Sequence, residues 1–485
     1  MTSIVARGAG ALGLVAALGA AAFFTLRPRD ADGRTSPIVS PVDSATAFVN
    51  VTVIPMDTER VLPGHTVLVQ NGRITVVGPS ASVRVPAGVM RIDGTGKYLM
   101  PGLAEMHAHV QGPQAANAAD LNRDIMFLYV ANGITTIRAM LGAPNQLILR
   151  DQLRRGEVLG PTMFVAAPSL NGQTAPNAET AIRLVREHKA AGYDLLKIHP
   201  GLTRSAYDAI VRTARSEGIT WGGHVSASIG VDYILDTKQS TIDHLDGYIE
   251  AAASSDIRQR LLNGENVPPV EVWRSVTSER MLELARKTKE AGTWNVPTMF
   301  LWESFYRPGD PEEWARHEEM KYAPRQWVNG WINQKRQQNA ANSRAGVSPA
   351  DAALHIALRR RMLKTLADAG APLLMGTDSP QMFNVPGFAL HRELGVAREA
   401  GLTPFQILQS GSRNVAAYAT EDLGLDGRFG TVSVGNRADL VLLNSNPLSN
   451  LANLSDRAGV MVNGRWVSRS TIDSGLAELA ARYDR

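Results

Sequence analysis

The sequence predicts an α/β fold, a (β/α)8 TIM barrel carrying a small β-sandwich assembled from the N- and C-terminal segments. Three observations predict it. Short β-branched runs gather at the two ends of the chain. Between them, strand-length apolar runs alternate with amphipathic helical stretches, the pattern of a parallel α/β sheet. Eight such runs fall between residues 98 and 429, which is the strand number of this barrel. At 485 residues and 44% hydrophobic, the chain is long enough for one large barrel or for two to three ordinary domains.

Residues 1–28 read as a targeting segment. Arg7 precedes a charge-free Ala/Gly/Leu-rich run from Gly8 to Leu26, which Arg27, Pro28 and Arg29 close. Two outcomes are open: cleavage near Ala20–Ala22, or retention of residues 8–26 as a membrane anchor. Either implies export, with the body periplasmic or otherwise facing away from the cytoplasm. Residues 29–45, rich in Asp, Ser, Thr and Pro, read as a linker.

The first sandwich part is expected over 46–97, with strands at Ala47–Ile54, Thr66–Gln70 and Gly72–Gly78. The barrel is expected over 98–429. Its strands are predicted at Leu103–Glu105, Thr135–Arg138, Thr162–Ala166, Leu195–Ile198, Thr220–Gly222, Thr241–Asp243, Asn295–Met299 and Leu373–Gly376. A polar, Trp-, Arg- and Gln-rich stretch from Trp302 to Arg344 reads as a helical insertion after the seventh strand. The second sandwich part, 430–470, has β runs at Gly430–Val432, Ala438–Leu443 and Gly459–Val467, and 471–485 is expected as a C-terminal helix.

Charge and cysteine content narrow the chemistry. The net charge of +4 is small for this length, and no Lys/Arg run marks a phosphate-backbone surface, so nucleic acid is not expected as a partner. The chain has no cysteine, which excludes disulfides, thiolate metal sites and a Cys nucleophile. Any metal must sit on nitrogen or oxygen ligands, a set that suits zinc. A small-molecule substrate is the expected partner, and a homo-oligomer is left open.

The strongest local signal is His107-Ala108-His109, at the end of the first predicted barrel strand. Residues two apart on a strand share a side, so both imidazoles can reach one ion. Lys197 closes a later strand, where a buried ammonium is costly unless paired; an ordinary ion pair is its alternative reading. His224 follows a Gly-Gly pair and His244 ends another strand. Each alone is more often a hydrogen-bonded core histidine than a ligand. Asp378 lies just past an apolar strand, where it could instead cap a helix. Six metal-capable residues, each at the carboxyl end of a strand in one barrel, point jointly to a metal centre. His199, two residues past Lys197, is a candidate for substrate contact or for core packing. Tyr248, and more weakly Tyr207, are candidate substrate residues, whereas His391 reads as structural. No nucleotide fingerprint is present.

In order, the motifs PGLAEMHAH, LLKIH, GGHVSA, TIDHLDG and MGTDSP, with the tail GTVSVGNRADLVLLNSNPL, resemble the amidohydrolase superfamily in its imidazolonepropionase-like and prolidase-like branch. The resemblance runs from about residue 46 to 467. It implies a metal-dependent hydrolase with two zinc ions per chain and Lys197 carboxylated to a carbamate that bridges them. His107, His109 and Asp378 would hold the inner ion, and His224 and His244 the outer one. Asp378 would also be the catalytic residue, moving protons for the attack of water on the substrate. The expected reaction is hydrolysis of a C–N bond in a dipeptide-like, N-acyl amino acid or cyclic amide substrate. An esterase or lactonase on the same centre is the alternative, and an exported metal-binding protein without turnover is a further one.

Overall fold

The computed structural model describes residues 45–484. The expected export segment, and the expected linker except for Ala45, lie outside the described residues. Five strands open the described chain: β1 (Thr46–Val53), β2 (Leu62–Gln70), β3 (Arg73–Pro79), β4 (Met90–Asp93) and β5 (Tyr98–Pro101). Seven follow in the middle: β6 (Leu103–Ala108), β7 (Ile134–Ala139), β8 (Thr162–Val165), β9 (Leu195–Ile198), β10 (Thr220–Gly223), β11 (Thr241–Asp243) and β12 (Trp294–Val296). Three close the chain: β13 (Leu440–Leu443), β14 (Arg457–Val462) and β15 (Arg465–Ser468), before a last helix, Arg469–Tyr483.

The terminal strands form one eight-stranded sheet in the order β15-β14-β13-β5-β1-β2-β3, with β4 alongside β1. β5 is the seam: it pairs parallel with β1 and antiparallel with β13. The sheet is strongly curled. Phe48 on β1 meets Trp466 on β15 edge to face at 5.4 Å, although four strand spacings of about 4.8 Å separate them in a flat sheet. At its far side β3 reaches the 435–438 segment through Ile74 N to Asn436 O and Ala438 N to Gly72 O, both 2.8 Å. The expected two-part sandwich is therefore one continuous, curled sheet enclosing Phe48, Val67, Leu99, Leu440 and Met461. The run expected at Gly430–Val432 is not a strand, since Gly430 turns at φ 73°. Gly459–Val467 divides into the β14–β15 hairpin around the left-handed Asn463 and Gly464.

The middle is a mixed α/β unit of two parallel sheets, β6-β7-β8 and β9-β10-β11-β12. Every residue of β6, β7, β9 and β11 is buried, as expected of parallel strands covered on both faces. Bridges at Ala166–Leu195 and Leu170–Ile198 join β8 to β9. The segment expected as an eighth strand, Leu373–Gly376, makes no continuous ladder. It instead contacts its neighbours singly: Leu374 N donates to Asn295 O, Met106 N to Met375 O, and Asp378 N to His107 O. The seventh strand stops at Val296, short of the expected Met299, because Pro297 lacks an N–H and Thr298 turns left-handed at φ 44°.

Two glycines let these segments approach. A Cβ on Gly223 would lie 2.5 Å from Ile198 O, and one on Gly376 would lie 2.5 Å from Val296 Cγ1 and 3.0 Å from His107 N. The insertion is helical as expected, with helices Met299–Tyr306, Pro311–Trp314 and Arg325–Arg344. Buried Lys335 ties it together by donating to Ser304 O and Arg307 O, both at 2.6 Å.

Candidate metal centre

The carboxyl ends of β6, β9, β10 and β11 and the turn after Gly376 bring one group of side chains together. Donor atoms of His107, His244 and Asp378 all lie within 4.8 Å of one another. His109 Nε2 is 2.6 Å from Asp378 Oδ1, and His107 Nε2 is 3.6 Å from the same oxygen. Asp378 Oδ2 faces His244 Nδ1 at 3.6 Å. Lys197, fully buried, places Nζ 3.5 Å from His107 Nε2. The imidazoles continue as a row, with centroids 4.5 Å apart from His107 to His244, 4.6 Å from His244 to His224 and 4.6 Å from His224 to His199. All six sequence-predicted ligands thus meet in one place.

Their backbone is bent to do so. His244, Leu245 and Asp378 adopt φ values of 62°, 50° and 63°, a region that non-glycine residues enter at a cost unless the surroundings hold them there. For Asp378 that hold is visible: Thr377 beside it gives its N–H and hydroxyl to Glu105, at 2.8 and 2.5 Å.

A supporting layer, to which the sequence reading gave no roles, orients these groups. Asp243 sits beneath them, with Oδ2 3.0 Å from His107 Nδ1 and 3.6 Å from Lys197 Nζ. Arg138 on β7, wholly buried, holds Asp243 Oδ1 at 3.0 Å and also donates to Met106 O, Thr241 Oγ1 and Tyr418 Oη. Asp246 Oδ2 lies 2.7 Å from His224 Nδ1, a carboxylate contact of the kind that orients an imidazole ring. Thr298 Oγ1 lies 2.7 Å from His244 Nδ1. The visible signal for this layer was the pair of carboxylates flanking His244 in TIDHLDG.

Electrostatics separates acids from bases. Burial would raise Asp378, but the imidazoles of His107, His109 and His244 outweigh it and hold the carboxyl well below the usual range. Asp243 is held low likewise, by Arg138, His107 and Lys197 against its own burial. Burial, reinforced by Lys197, pulls His107 down to about 4 and His199 to about 3, so both rings are neutral near pH 7. Burial also lowers Lys197, although the neighbouring Asp243 opposes it.

The remaining candidates divide. His199 joins the row, its Nδ1 2.5 Å from Ser169 Oγ. Tyr248 does not. It is fully buried, with its hydroxyl 2.8 Å from Thr288 Oγ1, so it serves internal packing against helix Ser278–Ala291 rather than substrate. Tyr207 is likewise buried, on Thr237 and Gln239. His391 lies among Asn132 and Arg457, a structural setting. From the insertion, Trp302 brings its ring within 6.4 Å of His244.

Comparison with known proteins gives the family and the fold. The chain is 28% identical to an adenine deaminase of Ruegeria sp. (strain TM1040) over 235 residues, which are 45% of this chain and 38% of that one. An adenine deaminase of Paracoccus denitrificans (strain Pd 1222) is 26% identical over 226 residues, 42% of this chain and 36% of its own. The chain thus spans well under half the length of these curated relatives. Among solved structures, the Bottromycin amidohydrolase superposes with a TM-score of 0.68 at 21% identity, covering 92% of this chain and 91% of that one. A Xaa-Pro dipeptidase with bound methionine gives 0.62 at 18%, covering 88% and 100%; at these identities the likeness speaks for the fold. The model of the Amidohydrolase family matches residues 98–467, a span that contains every residue of the histidine–aspartate cluster. The chain belongs to the amidohydrolase family, whose members are divalent-metal-dependent hydrolases.

Proposed function

We propose that this protein is a binuclear amidohydrolase that cleaves a C–N bond in a dipeptide-like or N-acyl amino acid substrate. The observation that carries the reading is the convergence of His107, His244 and Asp378 beside a lysine with no exposure to solvent. In this reading, β6–β12 and the 373–379 segment close into a (β/α)8 barrel, supported by the parallel bridges Asn295–Leu373 and Ala108–Ser379 on either side of that segment. His107, His109 and Asp378 would hold one ion and His224 and His244 a second, with carboxylated Lys197 as a shared ligand. The donor set fits zinc, being imidazole and oxygen without thiolate.

Bound divalent ions supply a nucleophile at neutral pH and polarise the scissile carbonyl. The protein's own groups do the rest. Asp378 is ionised, and its Oδ1 is engaged by His109 while Oδ2 accepts no hydrogen bond among the described residues. Oδ2 is therefore the atom that takes a proton during attack and returns one to the leaving nitrogen. Lys197 would first give up its ammonium proton and then react with CO2 as a neutral amine. The N–C bond forms as one C=O π bond of CO2 opens to a carboxylate oxygen and a second proton leaves the nitrogen, so that with two protons lost a buried cation becomes an anion. His199, neutral and next to His224, hydrogen-bonds the substrate in this reading. Trp302 and the helical insertion limit water at the mouth. Residues 8–26 direct export in this reading.

Elemental analysis of a fully active preparation should find about two divalent ions per chain; one or none would overturn the binuclear reading. Turnover across dipeptides, N-acyl amino acids, lactones, cyclic amides and adenine then tests the substrate. Adenine belongs in the panel because the curated relatives include adenine deaminases.

A further inference from the structure

A cleft of about 570 Å³ opens between helix Pro144–Arg154, the amino end of β8 and the turn of the β14–β15 hairpin. It lies at the opposite strand ends from the histidine–aspartate cluster, and its volume falls within the range of small-molecule sites. Its floor is apolar, formed by Leu153, Met163 and Phe164, all buried. Its walls carry Arg150, Arg154, Arg155, Arg437 and Arg465.

Four of these arginines already have carboxylates. Arg150 pairs with Asp194 at 3.0 Å, Arg154 with Asp151 at 3.6 Å, Arg155 with Glu157 at 2.5 Å and Arg437 with Asp439 at 2.5 Å. The one carboxylate in the cleft wall, Asp426, is held by Arg428 at 2.9 Å and Arg73 at 3.2 Å. Arg465 differs. No carboxylate among the described residues pairs with it; its Nη1 donates only to Gly156 O at 2.9 Å, and its buried Nε has no acceptor. A partly buried guanidinium without a counter-charge is unfavourable. Gly156 leaves room for it, since a Cβ there would lie 2.8 Å from Nη1.

We propose that this cleft binds a small amphipathic anion, a carboxylate or phosphate monoester with an apolar body, whose charge pairs with Arg465 and whose body lies on Phe164 and Met163. It is a ligand site separate from the catalytic one, and it does not depend on how the metal centre works. Calorimetric titration of the purified full-length protein with phenylacetate, phenyl phosphate and inorganic phosphate tests it. At least one aromatic probe should bind saturably at one per chain, and the stronger of the two identifies the anion class. Inorganic phosphate should bind more weakly, for want of an apolar body. Affinity should fall at least tenfold in Arg465→Met and in Leu159→Trp, which fills the cleft from a part-exposed wall position. It should be unchanged in Asp378→Asn. No saturable binding to the wild-type protein, unchanged affinity in both cleft variants, or loss in Asp378→Asn would each overturn the proposal.

Discussion

Asp243 and Arg138 form an ion pair with no solvent access, 3.0 Å long, and the second oxygen of Asp243 lies against His107 Nδ1. The pair therefore sets where the His107 imidazole of the cluster points. Removing one partner of such a pair leaves a buried charge alone and costs about 3–5 kcal/mol. Arg138→Met should show a loss of that size in urea denaturation, together with reduced metal content. Asp243→Asn keeps the shape but strands the buried Arg138 charge, so it should lose stability of the same order and also bind metal more weakly. Equal metal content in all three proteins would separate Asp243 from the site.

Lys197→Ala should bring activity to background and lower the metal-to-protein ratio. Short carboxylic acids such as acetate or propionate should restore part of both, by placing a carboxylate where the carbamate would bridge. A variant with near wild-type turnover would mean that Lys197 is only the ion-pair partner of Asp243, 3.6 Å away.

Asp378→Asn retains one oxygen but cannot act as a base at neutral pH. Its kcat should fall roughly 10²–10⁴-fold, the usual share of general acid–base catalysis, while metal content stays high. His244→Asn should show the opposite balance, losing metal and recovering activity with excess zinc. Metal content and kcat measured on the same samples decide between them. Normal turnover by Asp378→Asn would move the proton to another group, with His199 the first to test.

A pH effect is expected away from the site. Glu393 accepts from Met299 N and Phe300 N at the start of the insertion, both at 2.8 Å, and burial pushes it up to about 7 despite these bonds. Its folded value lies above the unfolded one, so the folded state binds the extra proton. Stability should therefore decline as pH rises from about 4.5 to 7. Glu393→Gln carries no titrating proton and should flatten that part of the curve. Denaturation of both proteins at pH 5 and 7.5 measures it; parallel curves would assign the slope elsewhere.

The clustering of these side chains was legible in the sequence because a strand end fixes both direction and neighbourhood, so His-x-His and the later single residues could be placed together without coordinates. Their supports were not. Arg138 reaches Asp243 across 105 residues of chain, and nothing in the local pattern of β7 distinguishes an arginine pointing into the core from one on the surface. The eighth segment was read correctly as apolar but not in its pairing, since Pro372, the left-handed Asp378 and single contacts to each neighbour replace a regular ladder. Tyr248 was misread for a similar reason. Following the His244 motif places it near the site, but only the fold shows that its hydroxyl turns to Thr288.

The seam at β5 has a consequence for the order of synthesis. β1 to β5 are made before the parallel strands β6–β12, yet the partner of β5's other edge, β13, is made after them. While the intervening α/β region is being made, the growing chain carries an unpaired, apolar strand edge of the kind that invites association with other chains. Correct assembly of this sheet therefore has to wait until β13 has been made, and truncation before residue 440 would leave that edge permanently open.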